Sequence, residues 1–260
     1  MTDVLYGEYD DAAFYDAEND WGPDDDFYRA LANEIGGPVL DLACGTGRLA
    51  RALAADGLEV IGLDIAPAMV ERARLLDPGG AVDWRVGDAA GFDLGQTFRL
   101  IVMTAHAFQH VIGAAAQDAL FACVARHLMP DGAFAFETRN PGRQDYADGG
   151  DFKFWRRFTD QERGPVEVWA ASRFDAESQV DHVTLVRRFA DGSERRSTAD
   201  LQFTDAATLD ARLTAAGFRC ARRYGDFGGE DFGPESPEIV TVARPSSGLL
   251  AQATLSRKRR

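Results

Sequence analysis

Cysteine is scarce: the 260 residues hold three, Cys44, Cys123 and Cys220, far apart. That number and spacing fit neither a disulfide framework nor a clustered zinc site, so three reduced thiols and no metal site are expected. Basic residues are missing from the start. The stretch before Arg29 holds ten acids and no Lys or Arg, so it lacks the basic segment that opens a secretory signal. Long apolar runs are missing too, and none could span a bilayer. A soluble cytoplasmic protein with no membrane partner is the expectation. Positive charge is in deficit overall. A formal net charge of −14 argues against nucleic acid as a partner, because binding a phosphate backbone relies on Lys and Arg displacing counterions.

What is present suffices for a full core, with 45% apolar residues. Strands alternate with helices from about residue 34. "VLDLA" reads as a strand, and Leu49/Leu53 with Ala50/Ala54 give one helix face over 48–55, ended by Gly57. A strand over Leu58 to Asp64 leads to a helix opening near Pro67 and broken at "DPGG". "VDWRVGD" and "FRLIVMT" are the third and fourth strands, and a helix from about Ala114 to Leu128 follows. Pro130-Asp131-Gly132 is expected to turn the chain into the fifth strand, "AFAFET". This pattern predicts an α/β fold with a doubly wound, mostly parallel sheet, whose ligands sit at the carboxyl ends of the strands. From about 152 the pattern changes to short alternating segments separated by "ERGP", "DAES" and "DGSE", an inserted antiparallel sheet. A helix at about 205–216 and two strands, "FRCARRY" and "EIVTVAR", complete the first sheet.

The turn after the first strand decides the ligand class. Gly45-Thr46-Gly47-Arg48-Leu49-Ala50 matches the glycine fingerprint of dinucleotide sites, and Asp64 stands where an acid would meet a ribose. Asp41, just before the turn, would repel a pyrophosphate and complement a cation. A ligand that is nucleoside at one end and cationic at the other is S-adenosylmethionine. An Asp in this place also serves as an ordinary turn former.

"VLDLACGTGRLA", "VIGLDIAPAMVERAR", "VGDAAGFDL", "FRLIVMTAHAFQHV" and "MPDGAFAFETRNP" resemble, in order and spacing, the successive motifs of class I S-adenosylmethionine-dependent methyltransferases of small-molecule type. The resemblance covers about 35–142 and resumes at about 203–243. It implies a seven-stranded, Rossmann-like sheet with its last strand antiparallel, and S-adenosyl-L-methionine as cofactor. It implies that Asp41, Gly45 and Gly47 line the methionine moiety, that Asp64 accepts the ribose hydroxyls, and that Ile65 packs on the adenine. Asp88 would bond the adenine amino group with Ala89 supplying a backbone donor, and Ala43, Thr104 and Tyr15 complete the cofactor set. No Asn-Pro-Pro-Tyr sequence follows the fourth strand, which argues against methylation of nucleic-acid bases or protein glutamine.

The implied activity is methyl transfer to an O or N atom of a small acceptor. Orientation and desolvation carry such a displacement, and a base helps when the acceptor must lose a proton. Of the four histidines, His106 and His110 follow the fourth strand and are the candidate catalytic residues; hydrogen-bonded burial is the competing role, favoured for His106. His127 suits a helix C-terminus. Glu137 and Arg139 end the fifth strand, as an acceptor contact or an internal ion pair. Residues 1–33, which interleave Tyr6, Tyr9, Phe14 and Tyr15 with acids, are expected to form a helical lid; Tyr9 and Tyr15 are its candidate closing residues, with ordinary helix packing the favoured competing role for each. Residues 34–150 and 201–244 would make the cofactor domain and 151–200 the inserted sheet, whose Phe152, Phe154, Trp155, Trp169 and Phe174 read as core. That sheet resembles those that roof an acceptor pocket or make a homodimer. A basic tail over 245–260 completes the chain. A NAD-binding oxidoreductase and a non-catalytic cofactor-binding protein are the alternatives.

Overall fold

The computed structural model describes residues 9–143 and 150–246. The first part of the expected lid, with Tyr6, and the tail from 247 lie outside the described residues.

Two helices come first, α1 (Ala12–Glu18) and α2 (Pro23–Ile35). Asp11 caps α1 by accepting from the Phe14 amide at 3.1 Å, and α2 opens with proline and three acids at the positive end of its dipole. Then follow β1 (Val39–Leu42), α3 (Arg48–Ala55), β2 (Val60–Asp64), α4 (Pro67–Leu76), β3 (Asp83–Val86) and β4 (Phe98–Met103). A 3-10 turn over Ala107–His110 leads to α5 (Ala114–His127) and β5 (Leu128–Arg139). Next come β6 (Lys153–Asp160), β7 (Gly164–Asp175), β8 (Val180–Phe189) and β9 (Glu194–Gln202), and last α6 (Ala206–Ala215), β10 (Phe218–Tyr224) and β11 (Glu238–Pro245).

The first sheet has the order β10-β11-β5-β4-β1-β2-β3, with β11 antiparallel to both its neighbours and the other described pairs parallel. Alternate side chains feed two cores. Leu40, Leu42, Ile61 and Phe134 pack with α5 and α6, while Val39, Val60, Leu100 and Ala135 pack with α2, α3 and α4. Chain order reverses on either side of β1, which opens a crevice at the carboxyl ends of β1, β2 and β4.

Two expectations need correction. Pro130-Asp131-Gly132 makes no turn ahead of the fifth strand: β5 starts at Leu128, opposite Phe98, while Leu100 already pairs with Ala133. The intervening residues are accommodated as a bulge within the strand, where Pro130 owes the ladder no donor. The aromatic set of the insert is not uniformly core. A register shift between Phe154 and Arg156 turns both Phe154 and Trp155 outward, and they are 52% and 49% exposed.

The second sheet, β6-β7-β8-β9, is antiparallel. It is fixed to the rest by α1 and by β9, which packs on the 3-10 turn; Gln202 Oε1 accepts from the Gly113 amide at 3.1 Å. Among the described residues no helix is long and apolar enough to cross a membrane.

Candidate functional site

The crevice holds a cleft of about 920 Å³ of empty space, part of it open to solvent. Its floor is the ends of β1, β2 and β4, and Tyr9 and Tyr15 also line it. Of the expected site residues, Tyr15, Ala43, Gly45, Asp64, Ile65, Asp88, Ala89, Thr104 and His110 line it; Asp41, Gly47 and His106 do not.

Asp64 ends β2 with its carboxylate drawn back toward the glycine turn. Oδ2 accepts from the Gly45 amide at 2.7 Å and Oδ1 from the Ala66 amide at 2.8 Å. Burial raises its pKa and these amide bonds oppose the rise. Ile65 beside it is 43% exposed, an apolar shelf in the cleft wall. Asp88 also closes a turn, accepting from the Ala90 amide at 2.8 Å. Tyr15 covers the turn itself: a Cβ added at Gly45 would come within 3.8 Å of its ring.

Asp41 alternates with Leu40 and Leu42, so it points under the turn, toward α3, and is 1% exposed. Among the described residues its Oδ1 has no hydrogen-bond partner. Burial, and then the neighbouring carboxylates of Asp64 and Asp25, push its pKa up to about 7. Gly47 has another reason to be glycine. Its φ is +76°, and a Cβ there would run into the Trp84 indole.

The two histidines separate. His110 lines the cleft, with Nε2 3.2 Å from the Tyr9 hydroxyl. Burial, then Arg139 and His106, lower its pKa to about 4, so the imidazole is neutral near pH 7. His106 faces away, with Nε2 2.9 Å from Glu238 Oε2 and its amide donating to Glu137 Oε1 at 2.7 Å. Glu137 is fully buried and takes the Tyr28 hydroxyl on its other oxygen, while Arg139 donates to Gln109 Oε1 at 3.0 Å. His106 is thus held by hydrogen bonds at a half-buried position, and Glu137 takes a hydroxyl and an amide where an ion pair with Arg139 was the expected alternative. His127 is likewise packed at its helix end, its Nδ1 2.9 Å from the Cys123 carbonyl.

Sequence reasoning did not find Met69, Met103 and Val111 in the cleft walls, since apolar helix and strand residues carry no sign of facing a cavity. It also missed a cluster of left-handed backbone: Ala43, Ala105 and His106 have φ of 61°, 55° and 59°. Such strain, about 1–3 kcal/mol per residue, gathers where strand ends are bent to shape a site.

Carboxylates stand at the cleft and beneath it, and no Lys or Arg is among the described residues that line it. That inventory fits a nucleoside carrying positive charge and opposes a pyrophosphate. Fold and cleft together define an α/β methyltransferase architecture. Residues 39–132 match the family described as "Methyltransferase domain". The chain is 30% identical over 212 residues to a cypemycin N-terminal methyltransferase of a Streptomyces species, spanning 80% of this chain and 82% of that one. Its fold is similar to the CcbJ methyltransferase of Streptomyces caelestis, with TM-score 0.82, 25% identity and coverage of 92% and 98% of the two chains. It is similar also to S-adenosylmethionine-bound CalS10, an amino pentose methyltransferase of Micromonospora echinaspora, with TM-score 0.70, 25% identity and coverage of 90% and 95%. The chain belongs to the class I S-adenosylmethionine-dependent methyltransferases of small-molecule type, enzymes that move a methyl group to an O or N atom. The dinucleotide oxidoreductase alternative falls with that membership.

Proposed function

We propose that this chain binds S-adenosyl-L-methionine in the cleft over β1, β2 and β4 and methylates the amine nitrogen of a small acceptor held beneath the inserted sheet. The observation that carries the reading is the make-up of the cleft: carboxylates toward the cofactor, a neutral imidazole in its lining, and no Lys or Arg among its described lining residues. The names of the relatives, an N-terminal and an amino pentose methyltransferase, favour nitrogen over oxygen.

When bound, the cofactor supplies an electrophilic methyl group on a sulfonium. Asp64 would hold the ribose, Ile65 would offer the adenine an apolar face, and Asp88 with the Ala89 amide would take its edge. Asp41 lies below the turn as a counter-charge for the methionine end. His110 is suited to orienting the acceptor by accepting its N–H, and its neutrality keeps a second positive charge away from the sulfonium. A base with pKa of about 4 does not take the proton of an alkylammonium, so the amine reaches the site already neutral. The residues present would hold the neutral amine oriented, its lone pair toward the methyl group that the cofactor would supply. The same reading divides the chain into a lid over 1–33, a cofactor domain over 34–150 and 201–244, an inserted sheet over 151–200 and a tail over 245–260.

Incubation with S-adenosyl-L-methionine and paired acceptors, amino sugars and N-terminal peptide amines against their hydroxyl analogues, tests the proposal by mass spectrometry. Methylation of amines is expected. Methylation of the hydroxyl analogues alone would overturn the choice of nitrogen.

A further inference from the structure

The short helix α1 sits between the inserted sheet and α4, and its faces serve both. Asp11, Phe14 and Glu18, spaced i, i+3, i+7, meet the sheet. Phe14 lies edge-on to Phe158 with ring centres 5.3 Å apart, and Asp11 pairs with Arg163 and Arg195 at 3.1 Å. Ala12 and Tyr15 turn the other way, packing with Ala66 and Met69, and Asp16 pairs with Arg72 of α4 at 2.8 Å. The deepest of these contacts is ionic. Glu18, its side chain 2% exposed, accepts from Arg187 Nε at 2.6 Å and from Arg156 Nη2 at 2.8 Å, and Arg187 is itself 4% exposed. One turn back is Tyr15, whose ring lies over Gly45; the Tyr15 carbonyl takes the Asn19 amide, and the Asn19 carbonyl takes Arg48 Nη1 at 2.6 Å.

A buried ion pair adds little net stability over apolar packing of the same volume, and Phe14 already supplies apolar packing here. What the pair adds is one docking geometry, and two surfaces that water solvates well when they part. Tyr15 lines the cleft and lies over the Gly45 turn, so a shift of this helix moves its ring where the nucleoside would sit. We propose that Glu18, clasped by Arg156 and Arg187 of the inserted sheet, is a positioning residue that latches Tyr15 over the cofactor turn and sets how fast the cofactor leaves. The inference rests on the cofactor reading above. It joins the inserted sheet to the cofactor turn through a single helical turn.

The test is the release rate of S-adenosylhomocysteine, followed by stopped-flow displacement on the full chain, with melting temperature recorded for every variant. Glu18→Gln is expected to raise the release rate and the dissociation constant about tenfold or more. Arg156→Gln, at the more exposed partner, is the milder second variant and should shift the rate in the same direction. Release rates within twofold of the parent in both folded variants, whatever their melting temperatures, would overturn the latch. Failure of the parent chain to bind S-adenosylhomocysteine would overturn the cofactor reading itself, and the latch with it.

Discussion

Asp64 shows how one side chain can serve the turn and a ligand together. A carboxylate offers about four lone-pair sites; the amides of Gly45 and Ala66 use two and the Ile65 amide also approaches, which leaves room for a ribose hydroxyl on the cleft side. Hydrogen bonds to a charged group contribute about 1.5–3 kcal/mol, so Asp64→Ala should weaken S-adenosylhomocysteine binding by at least about tenfold in calorimetry; unchanged affinity would remove the ribose assignment. Asp41 makes a pH prediction. In the folded, ligand-free chain it holds its proton up to about pH 7, against 3.8 ordinarily, so between those values the folded state binds a proton that the unfolded state has lost. Stability therefore falls as pH rises through that window, by a total of about 4 kcal/mol, and Asp41→Asn should flatten the slope in denaturant titrations at successive pH values. A cationic ligand favours the ionised form. Affinity for S-adenosylmethionine should then climb as pH rises toward 7 and level off above it, and lose that dependence in Asp41→Asn. His110→Ala should lower turnover more than it weakens cofactor binding; equal turnover with the true acceptor would retire His110 from the reaction.

Among the elements, β1–turn–α3 carries the greatest demand on sequence. Gly47 must take a left-handed backbone and let the Trp84 indole lie against it, so the fingerprint glycine answers to packing as much as to a ligand. Gly47→Ala combines a strained φ with overpacking and should cost about 2–4 kcal/mol in chemical denaturation. The β/α repeat was legible because its signals are local: α3 shows Leu49 and Leu53 on one face, and β2 runs apolar into Asp64. The bulge at Pro130–Gly132 was not legible, because turn-forming residues look the same within a strand as before one. Nor was the outward turn of both Phe154 and Trp155, which a single register shift produces against strict alternation. In the site, the motif residues at strand ends reach the cleft since the sheet puts them there. The contacts that close it, Tyr9 with His110 and Glu18 with Arg187, join positions 101 and 169 residues apart, and nothing in the local sequence marks them.

At the scale of the molecule, the charge balance distinguishes one nucleotide class from another. The chain carries −14 overall, and the cleft adds Asp64 and Asp88 at its wall and Asp41 beneath it. A nucleotide with a pyrophosphate would bring two negative charges to a turn that has no cation among its described lining residues, in a partly enclosed space where such repulsion is poorly screened. S-adenosylmethionine brings positive charge to the same place, and S-adenosylhomocysteine keeps the ammonium without the sulfonium. Ligands that bind only the folded state stabilise it by about 2.7 kcal/mol at 100 times their dissociation constant, a rise of about 5–11 °C for a chain of this size. Both sulfur nucleosides should therefore raise the melting temperature while NAD at equal concentration leaves it unchanged. The gap between the two nucleosides should widen from pH 6 to pH 8 as Asp41 ionises, because the sulfonium gains more from that charge than the neutral thioether does. A shift with NAD alone would mean that the glycine turn holds phosphates despite its carboxylates. Equal shifts for the two sulfur nucleosides at both pH values would place Asp41 outside the reach of the sulfonium and leave it a buried turn former.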